Sequence, residues 1–317
     1  MTDPRLDPDM RAWLEAQAAE AAKYPPIKLE VPLEPHRAVN DALALPLAAG
    51  GPAMAESADR WLSVRGRRVL CRMHRPLGAA AGNLPVLVYF HGGGWVWASI
   101  DTHDRLMREY AAGAGVTVVG VDYALAPEAK FPQPVEECVG VTTWLARNGA
   151  EWGVDSSRIL LGGDSAGGNL ALATALALRD SGEVRPCGIL ASYPVVDSRM
   201  DTPTYREFAT GYGLTAEKMA FYWSVYASHA ADRTHPLAAP LRADLTGLPP
   251  VLVQLAELDL LRAEGEALAA KLRAAGVETA LSVYSGVVHG FVRNTEQVAK
   301  ARAAMAEATD WLRRMAA

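Results

Sequence analysis

The sequence predicts an α/β protein with a mostly parallel, eight-stranded sheet flanked by helices, and two observations support this. The first is a set of short apolar runs, which are typical of strands buried on both faces of a parallel sheet. These runs are residues 85–90, 116–121, 159–162, 188–193, 251–255 and 280–284. The second is that helical patterns lie between them, because alternating strands and helices form parallel sheets covered by helices.

The composition is that of a globular protein, and it argues against several classes of function. Half of the 317 residues are hydrophobic and 21% are charged, which argues against global disorder. A net charge of −5 argues against a nucleic-acid partner, since an acidic surface repels phosphates. The longest near-apolar stretch, residues 170–178, is too short to span a membrane, so no membrane partner is expected. Three cysteines and a polar, acidic N-terminus predict a cytoplasmic location.

The N-terminal region carries one clear helical pattern, over residues 10–23. That helix should end before the pair Pro25 and Pro26, because the residue preceding a proline disfavours the helical conformation. Further prolines and small residues follow as far as residue 49, and we interpret them as loop and turn.

Two β-type runs come next, residues 61–64 and 68–73, and complete the eight strands. The pair Arg65 and Gly66 between them predicts a hairpin, which would make this edge of the sheet antiparallel. Amphipathic or apolar helical patterns cover residues 106–112, 135–147, 166–180, 263–275 and 296–315.

One connection, residues 194–250, is much longer than the others. It contains seven aromatic residues and a helical pattern over residues 215–228. Long insertions are usually functional, so we interpret it as part of a cap over an active site; a helical hairpin that merely covers the sheet is the alternative. The predicted division is a catalytic domain of residues 51–196 and 236–317, and a helical cap of residues 1–50 and 197–235.

The segment Gly163-Asp164-Ser165-Ala166-Gly167 is the most informative motif in the chain. Its G-x-S-x-G pattern follows an apolar strand and precedes a helix, which is the context that a nucleophilic serine on a tight turn requires. The helix N-terminus favours negative charge developing beside the serine. The alternative is a glycine-rich turn that only eases the packing of the helix on the sheet.

A second glycine-rich segment, His91 to Trp95, follows the strand at residues 85–90. Successive glycines let the backbone approach a substrate and point N–H groups into a cleft. Acyl transfer needs such donors to stabilise the oxyanion of its tetrahedral intermediate. A phosphate-binding loop or a plain turn is the alternative, although neither a dinucleotide-binding nor a P-loop pattern occurs here.

An activated serine also needs a base that accepts its proton, and that base needs an acidic residue to orient it. His289 follows the last predicted strand and Asp259 follows the one before, so both lie at the carboxyl ends of strands. The order Ser165, Asp259, His289 matches that of one known class of Ser-His-Asp enzymes. Glu257 is an alternative acid. The other histidines are interpreted as surface or loop residues without metal-ligand spacing: His36, His74, His103, His229 and His235.

Together these motifs resemble the hormone-sensitive-lipase-like bacterial esterases, from about residue 60 to the end. The resemblance rests on HGGGW at 91–95, GDSAGG at 163–168, VDYALAPEAKFP at 121–132 and AELDLLRAEGEALAAKLRAAGV at 256–277. The chain departs from the family pattern at three positions. Leu260 replaces a proline, Ala263 replaces an acidic residue, and Ala124 stands where many relatives have arginine.

The resemblance implies an α/β-hydrolase fold with a helical cap, and a carboxylesterase acting on small esters without metal or cofactor. It assigns the catalytic triad to Ser165, Asp259 and His289. By motif position, the backbone N–H groups of Gly93, Gly94 and Ala166 would form the oxyanion hole. It also suggests a homodimer. The aromatic residues expected to contact substrate are Trp13, Trp95, Tyr212 and Tyr222.

Two other functions are compatible with the same motifs. The first keeps the triad but cleaves amides, or acts as a lipase on long-chain lipids. The second is a binding module of the same fold, like the plant hormone receptors that resemble this family. Receptor use does not need a catalytic base, so the presence of His289 argues against it.

Overall fold

The computed structural model describes residues 3–78 and 82–317. Residues 1–2 and 79–81, which fall within the predicted cap and catalytic ranges, lie outside the described residues. The described chain contains one eight-stranded sheet, in the order β1-β2-β4-β3-β5-β6-β7-β8. Its strands are β1 (Met54–Val64), β2 (Arg67–Pro76), β3 (Leu84–Phe90), β4 (Thr117–Asp122), β5 (Val154–Asp164), β6 (Gly188–Ser192), β7 (Val251–Leu258) and β8 (Thr279–Val288).

The pairs β1–β2 and β2–β4 are antiparallel. All other neighbouring strands in the sheet, from β4 to β8, are parallel to one another. The predicted mostly parallel sheet is therefore confirmed. Arg65 and Gly66 form the β1–β2 turn with φ angles of 48° and 77°. Two successive positive φ angles are typical of the tight turns that match the twist of a hairpin.

The helices are α1 (Pro8–Ala21), α2 (Glu34–Ala48), α3 (Asp104–Ala114), α4 (Gln133–Asn148), α5 (Ala166–Ser181), α6 (Pro203–Glu207), α7 (Ala216–Tyr226), α8 (Ala230–Thr234), α9 (Arg262–Ala274) and α10 (Ala299–Met315). Helix α3 packs against α10, and α4 packs against α5. The chain moves in one direction along the sheet from β3 to β4 and in the opposite direction from β4 to β5. Right-handed crossovers therefore place α3 and α4 on opposite faces of the sheet, which agrees with these helix pairs. Among the described residues, none of these helices is long and apolar enough to cross a membrane.

The reversal of chain direction places the functional motifs side by side. Strand β3 lies between β4 and β5, and Phe90 at its end pairs with Gly163 of β5. The glycine loop that begins at His91 and the turn that carries Ser165 therefore leave neighbouring carboxyl ends of the sheet. Ligands of doubly wound sheets bind at such a point, because the two loops diverge there and leave a crevice.

Helix α2 corrects the expectation of loop and turn before residue 49. Its two prolines do not interrupt it: Pro35 lies in the first turn, and the helix continues past Pro46 to Ala48. A proline in the first turn lacks only an N–H that would have no partner there. Arg37 anchors the helix through hydrogen bonds to the carbonyl oxygens of Val96 (3.0 Å) and Ala126 (2.8 Å) and to the carboxylate of Glu128 (2.7 Å).

Two of the histidines expected on the surface or in loops are buried, His74 within a strand and His103 in the loop before α3. His74 lies on β2, and its Nδ1 is 2.8 Å from Ser57 Oγ of β1. His103 precedes α3, and its Nδ1 is 3.0 Å from the hydroxyl of Thr102. Neighbouring elements supply the polar partners that make burial possible, and a single sequence does not reveal such partners.

Candidate active site

Ser165 occupies a strained turn between β5 and α5, with φ 56° and ψ −119°. A positive φ is rare for residues other than glycine and is found mainly where the surroundings enforce it. The flanking glycines allow the turn to be this tight. A Cβ on Gly163 would overlap the backbone of Gly167, and one on Gly167 would overlap the carbonyl group of Phe90.

Ser165, His289 and Asp259 form a continuous chain of short contacts. Ser165 Oγ lies 2.8 Å from His289 Nε2, and His289 Nδ1 lies 2.7 Å from Asp259 Oδ2. Both contacts are satisfied when Nδ1 carries the imidazole proton and Nε2 accepts the hydroxyl proton. Asp259 is 2% exposed, and its Oδ1 accepts a hydrogen bond from the amide of Leu261 (3.0 Å).

Glu257, the alternative acid, is held elsewhere. Its carboxylate accepts a hydrogen bond from the amide of Gly286 (2.8 Å), in the segment that leads to His289. Its backbone carbonyl accepts one from the guanidinium of Arg262 (3.0 Å). The carboxylate beside the imidazole is therefore that of Asp259.

The glycine loop approaches Ser165 from β3 and has three successive residues with positive φ angles, the third being Trp95 at 61°. Gly93 has φ 127° and Gly94 has φ 62°, and both line the same cavity as Ser165. A Cβ on Gly93 would overlap the carbonyl of Trp97, and one on Gly94 would overlap the ring of Tyr222. Glycine is therefore required at both positions for the backbone to reach the serine.

Asp164 connects this loop to the serine turn. Its Oδ1 accepts hydrogen bonds from the amide of Gly92 (2.9 Å) and the hydroxyl of Tyr89 (2.7 Å). Burial raises the pKa of Asp164, but His103 and Tyr89 beside the carboxylate outweigh it and hold the pKa below its usual range. The group is therefore an anion at neutral pH, although it is only 3% exposed.

Two buried histidines, His91 at the start of the glycine loop and His103 before α3, have neighbouring rings with centroids 5.5 Å apart. Burial lowers the pKa of His91 to about 3, and burial also lowers the pKa of His103. His91 stacks on the ring of Tyr123, with centroids 4.3 Å apart. Both imidazoles are consequently neutral near pH 7.

A cavity of about 370 Å³ opens at Ser165 and lies between the sheet and the helices above it. That volume is at the lower end of the range of small-molecule pockets. Trp13 of α1 and Tyr222 of α7 line it as predicted, and the Tyr222 hydroxyl accepts a hydrogen bond from Trp97 Nε1 (3.0 Å). Helix α2, which was not predicted, contributes Asn40, Leu43, Ala44 and Leu47.

Two of the four expected substrate contacts are not at the cavity wall. Trp95 is fully buried and stacks on Tyr226, with centroids 4.2 Å apart. Tyr212 donates a hydrogen bond to Asp3 (2.7 Å) and packs edge-on against Phe208. Both side chains fix the positions of neighbouring segments and are not among the residues that line the cavity, so their contact with substrate stays a prediction.

Two cationic residues of the cavity, Lys218 and Arg293, were not predicted from the sequence. Arg293 lies four positions after His289, so its place in a loop at the carboxyl end of a strand was an available signal. Lys218 lies in the first turn of the insertion helix α7. Within the described parts of the chain, no cluster of histidine, cysteine, aspartate and glutamate side chains could hold a metal ion.

A family model described as the α/β-hydrolase fold matches residues 87–293, which contain the glycine loop, the serine turn, Asp259 and His289. The chain belongs to this family. The match confirms the predicted fold and the resemblance to hormone-sensitive-lipase-like esterases.

Several characterised members of the α/β-hydrolase family are similar to this chain. The carboxylesterase NlhH of Mycobacterium tuberculosis is 41% identical over 214 residues, which cover 66% of this chain and 67% of that protein. The ethyl acetate hydrolase of Pseudomonas putida is 34% identical over 91% of this chain and 92% of its own length. Among solved structures, a thermostable esterase from Pseudomonas putida superposes with a TM-score of 0.93 at 35% identity, covering 100% of this chain and 99% of that one.

Proposed function

We propose that the protein is a carboxylesterase that hydrolyses short- to medium-chain carboxylic esters through an acyl-serine intermediate. The observation that carries the proposal is the contact chain from Ser165 through His289 to Asp259, in which Ser165 and His289 line the cavity. The carboxylesterase and ethyl acetate hydrolase activities named for two relatives agree with it.

In the first half of the proposed reaction, Ser165 Oγ attacks the carbonyl carbon of the ester while His289 Nε2 takes the hydroxyl proton. The tetrahedral intermediate then collapses, and His289 returns that proton to the departing alkoxide, which leaves as the alcohol. In the second half, His289 takes a proton from water, the resulting hydroxide attacks the acyl-serine, and Ser165 regains its proton as the acid departs. One ester and one water give one acid and one alcohol.

Asp259 holds the imidazole in the required tautomer and stabilises its cationic form, because it contacts Nδ1 and is shielded from water. The backbone N–H groups of Gly93, Gly94 and Ala166 are the proposed donors to the oxyanion. Support comes from the positive φ angles of the two glycines and from the position of Ala166 as the first residue of α5. Both features favour backbone N–H donors that face the carbonyl oxygen of an ester bound at Ser165.

The same reasoning supports the division into a catalytic domain, residues 51–196 and 236–317, and a cap, residues 1–50 and 197–235. Helices α1, α2 and α7 come from the cap ranges and supply the cavity wall opposite Ser165. We also propose a cytoplasmic location, supported by Cys71, Cys138 and Cys187, which are all unpaired thiols. A homodimer remains part of the proposal.

A substrate panel tests the proposed function against its alternatives. The protein would be assayed with ethyl acetate, ethyl butanoate, butanamide and emulsified triolein under identical conditions, with Ser165→Ala as the blank. We expect hydrolysis of the two ethyl esters, at rates far above those for the amide and the emulsion. Preference for the amide or for triolein, or ester hydrolysis that survives in Ser165→Ala, would overturn the proposal.

A further inference from the structure

The cavity beside Ser165 is richer in positive than in negative charge, although the chain has a net charge of −5. Lys218 and Arg293 line it, and among its described lining residues the only carboxylate is that of Asp164. That carboxylate is buried and already accepts two hydrogen bonds. An active-site cavity with this balance is suited to an anionic ligand.

Arg293 has unused hydrogen-bonding capacity at the cavity wall. It ends the short helical turn Phe291–Arg293, and its Nη2 donates to the carbonyl oxygen of Thr102 (2.9 Å). A guanidinium carries five N–H donors in a planar fork that matches a carboxylate. Within residues 3–78 and 82–317, no carboxylate forms an ion pair with this guanidinium.

Several other arginines of the chain do have carboxylate partners. Arg72 pairs with Asp59 at 2.7 Å, and Arg108 pairs with Asp104 at 2.8 Å. Arg293 is half-buried beside Ser165, and its charge helps to lower the pKa of the buried Asp164 carboxylate, with which it makes no hydrogen bond. A ligand carboxylate could pair directly with the guanidinium.

Lys218 is the second cation, and its surroundings also disfavour its charge. Burial lowers its pKa, with only Glu217 acting in the opposite direction. Its position in the first turn of α7 places it at the positive end of the helix dipole. Its Nζ donates to the carbonyl of Gly213 (3.1 Å), at the cavity wall, and no ion pair with a described carboxylate is present. A bound anion would offset both effects.

We propose that the preferred substrates are esters that carry a carboxylate, and that Arg293 is the residue that binds it, with Lys218 as a second cation at the wall. The inference rests on the proposed ester hydrolysis at Ser165 and adds to it the charge class of the substrate. A hydrogen bond to a charged group contributes more than one between neutral groups, so preferences of about tenfold or more are expected.

Two pairs of probe esters place the carboxylate at either end of the molecule. Monoethyl glutarate and its neutral isostere ethyl 5-methylhexanoate differ only on the acyl side. Carboxymethyl butanoate and its isostere isobutyl butanoate differ only on the alcohol side. Chromatography of the released alcohol or acid gives kcat/KM for all four esters, and the expected result is that the anionic member of at least one pair is preferred by about tenfold or more.

Variants assign that preference to a residue. Arg293→Met should lower the anionic-to-neutral ratio of kcat/KM by about tenfold, mainly through a higher KM for the anionic ester. Arg293→Lys should restore part of the ratio, because it keeps the charge but loses the fork. Lys218→Met should lower the ratio by less. Arg302→Met is the matched control, since Arg302 also donates to backbone carbonyls and lies outside the cavity.

Salt provides a measurement that does not depend on the folding of any variant. Raising the ionic strength should lower kcat/KM of the wild-type protein for the preferred anionic ester more than for its isostere, because charge attraction is screened. Equal hydrolysis within both pairs, or an unchanged ratio in folded Arg293→Met, would overturn the inference while leaving the ester hydrolase intact. Failure to hydrolyse any of the four esters would instead count against the proposed function.

Discussion

The amide N–H of Gly92 donates a 2.9 Å hydrogen bond to the carboxylate of Asp164, the residue immediately before Ser165. The loop that would hold the oxyanion and the turn that holds the nucleophile are thus joined by one buried contact. The contact fixes the distance between the two parts, so it makes Asp164 a positioning residue for the proposed oxyanion hole.

Replacing Asp164 tests this link. Asp164→Ala leaves the Gly92 amide and the Tyr89 hydroxyl without their acceptor, so the loop should shift and kcat should fall by about 10²-fold, as for loss of one oxyanion donor. Asp164→Asn keeps an acceptor oxygen, so its kcat should fall by less than that of Asp164→Ala. Steady-state kinetics on ethyl butanoate give kcat and KM separately. A higher KM with kcat unchanged would show that Asp164 acts on binding and not on the oxyanion hole.

The two carboxylates after β7 should differ sharply in importance. Asp259→Asn should reduce kcat by about 10⁴-fold, because an amide does not fix the Nδ1–H tautomer of His289 or support its cation. Glu257→Gln should have a much smaller effect, since its oxygen can still accept from the Gly286 amide. If Glu257→Gln proved the more damaging change, the acid would be wrongly assigned.

Buried His91 should make the fold sensitive to acid. Its pKa is about 3 in the folded chain against an ordinary value of 6.5, so between these values the unfolded state binds the proton and the folded state does not. The contribution of neutral His91 to the free energy of unfolding is therefore fully present above about pH 6.5. It is lost as the pH falls towards 3, by about 1.4 kcal/mol per pH unit.

Urea titrations at several pH values check this effect by comparing wild type with His91→Phe, which keeps a ring to stack on Tyr123. The free energy of unfolding should depend less steeply on pH in the variant, because about one proton fewer is taken up on unfolding. Identical slopes would mean that His91 is not the group responsible. Because His103 is also buried with a lowered pKa, some acid sensitivity should remain in the variant.

Trp13 should limit the length of the acyl chain. The cavity holds about 370 Å³, and each buried methylene contributes about 0.8 kcal/mol until the wall is reached. We expect p-nitrophenyl esters to be hydrolysed best at about four to six acyl carbons. Trp13→Ala removes part of the wall and should move the optimum to longer chains.

Trp61→Ala is the control for that experiment, because Trp61 is 57% exposed on β1 and does not line the cavity. Its chain-length profile should match that of the wild type. An optimum of about twelve carbons or more in the wild-type protein would contradict a cavity closed by the cap.

Much of the fold could be predicted because local patterns determine it. The buried parallel strands are continuous apolar runs, which are visible in the sequence. The glycines of the G-x-S-x-G motif are visible too, and they are required because a side chain at either position would overlap the backbone. Helix α2 was missed because its prolines read as helix breakers, although Pro35 lies in the first turn, where no N–H partner is needed, and Pro46 does not end the helix.

The cavity wall could not be predicted in the same way. Trp95 and Tyr212 are aromatic and close to the motifs in sequence, but packing against Tyr226 and Phe208 turns both away from the cavity. The place of Arg293 shortly after His289 was a signal in the sequence, but the absence of an ion pair at Arg293 and Lys218 is visible only in the structure. Such information lies in contacts between distant segments, which periodicity and motifs do not encode.

The most direct test of the account is to identify the residue that becomes covalently modified. Intact protein and its peptides would be analysed by mass spectrometry after reaction with a fluorophosphonate, using wild type, Ser165→Ala and Ser224→Ala, in which an exposed serine of α7 is replaced. The account predicts one adduct on Ser165 in wild type and Ser224→Ala, and none in Ser165→Ala. Equal labelling of Ser165→Ala, or an adduct on another residue of the wild-type protein, would contradict it.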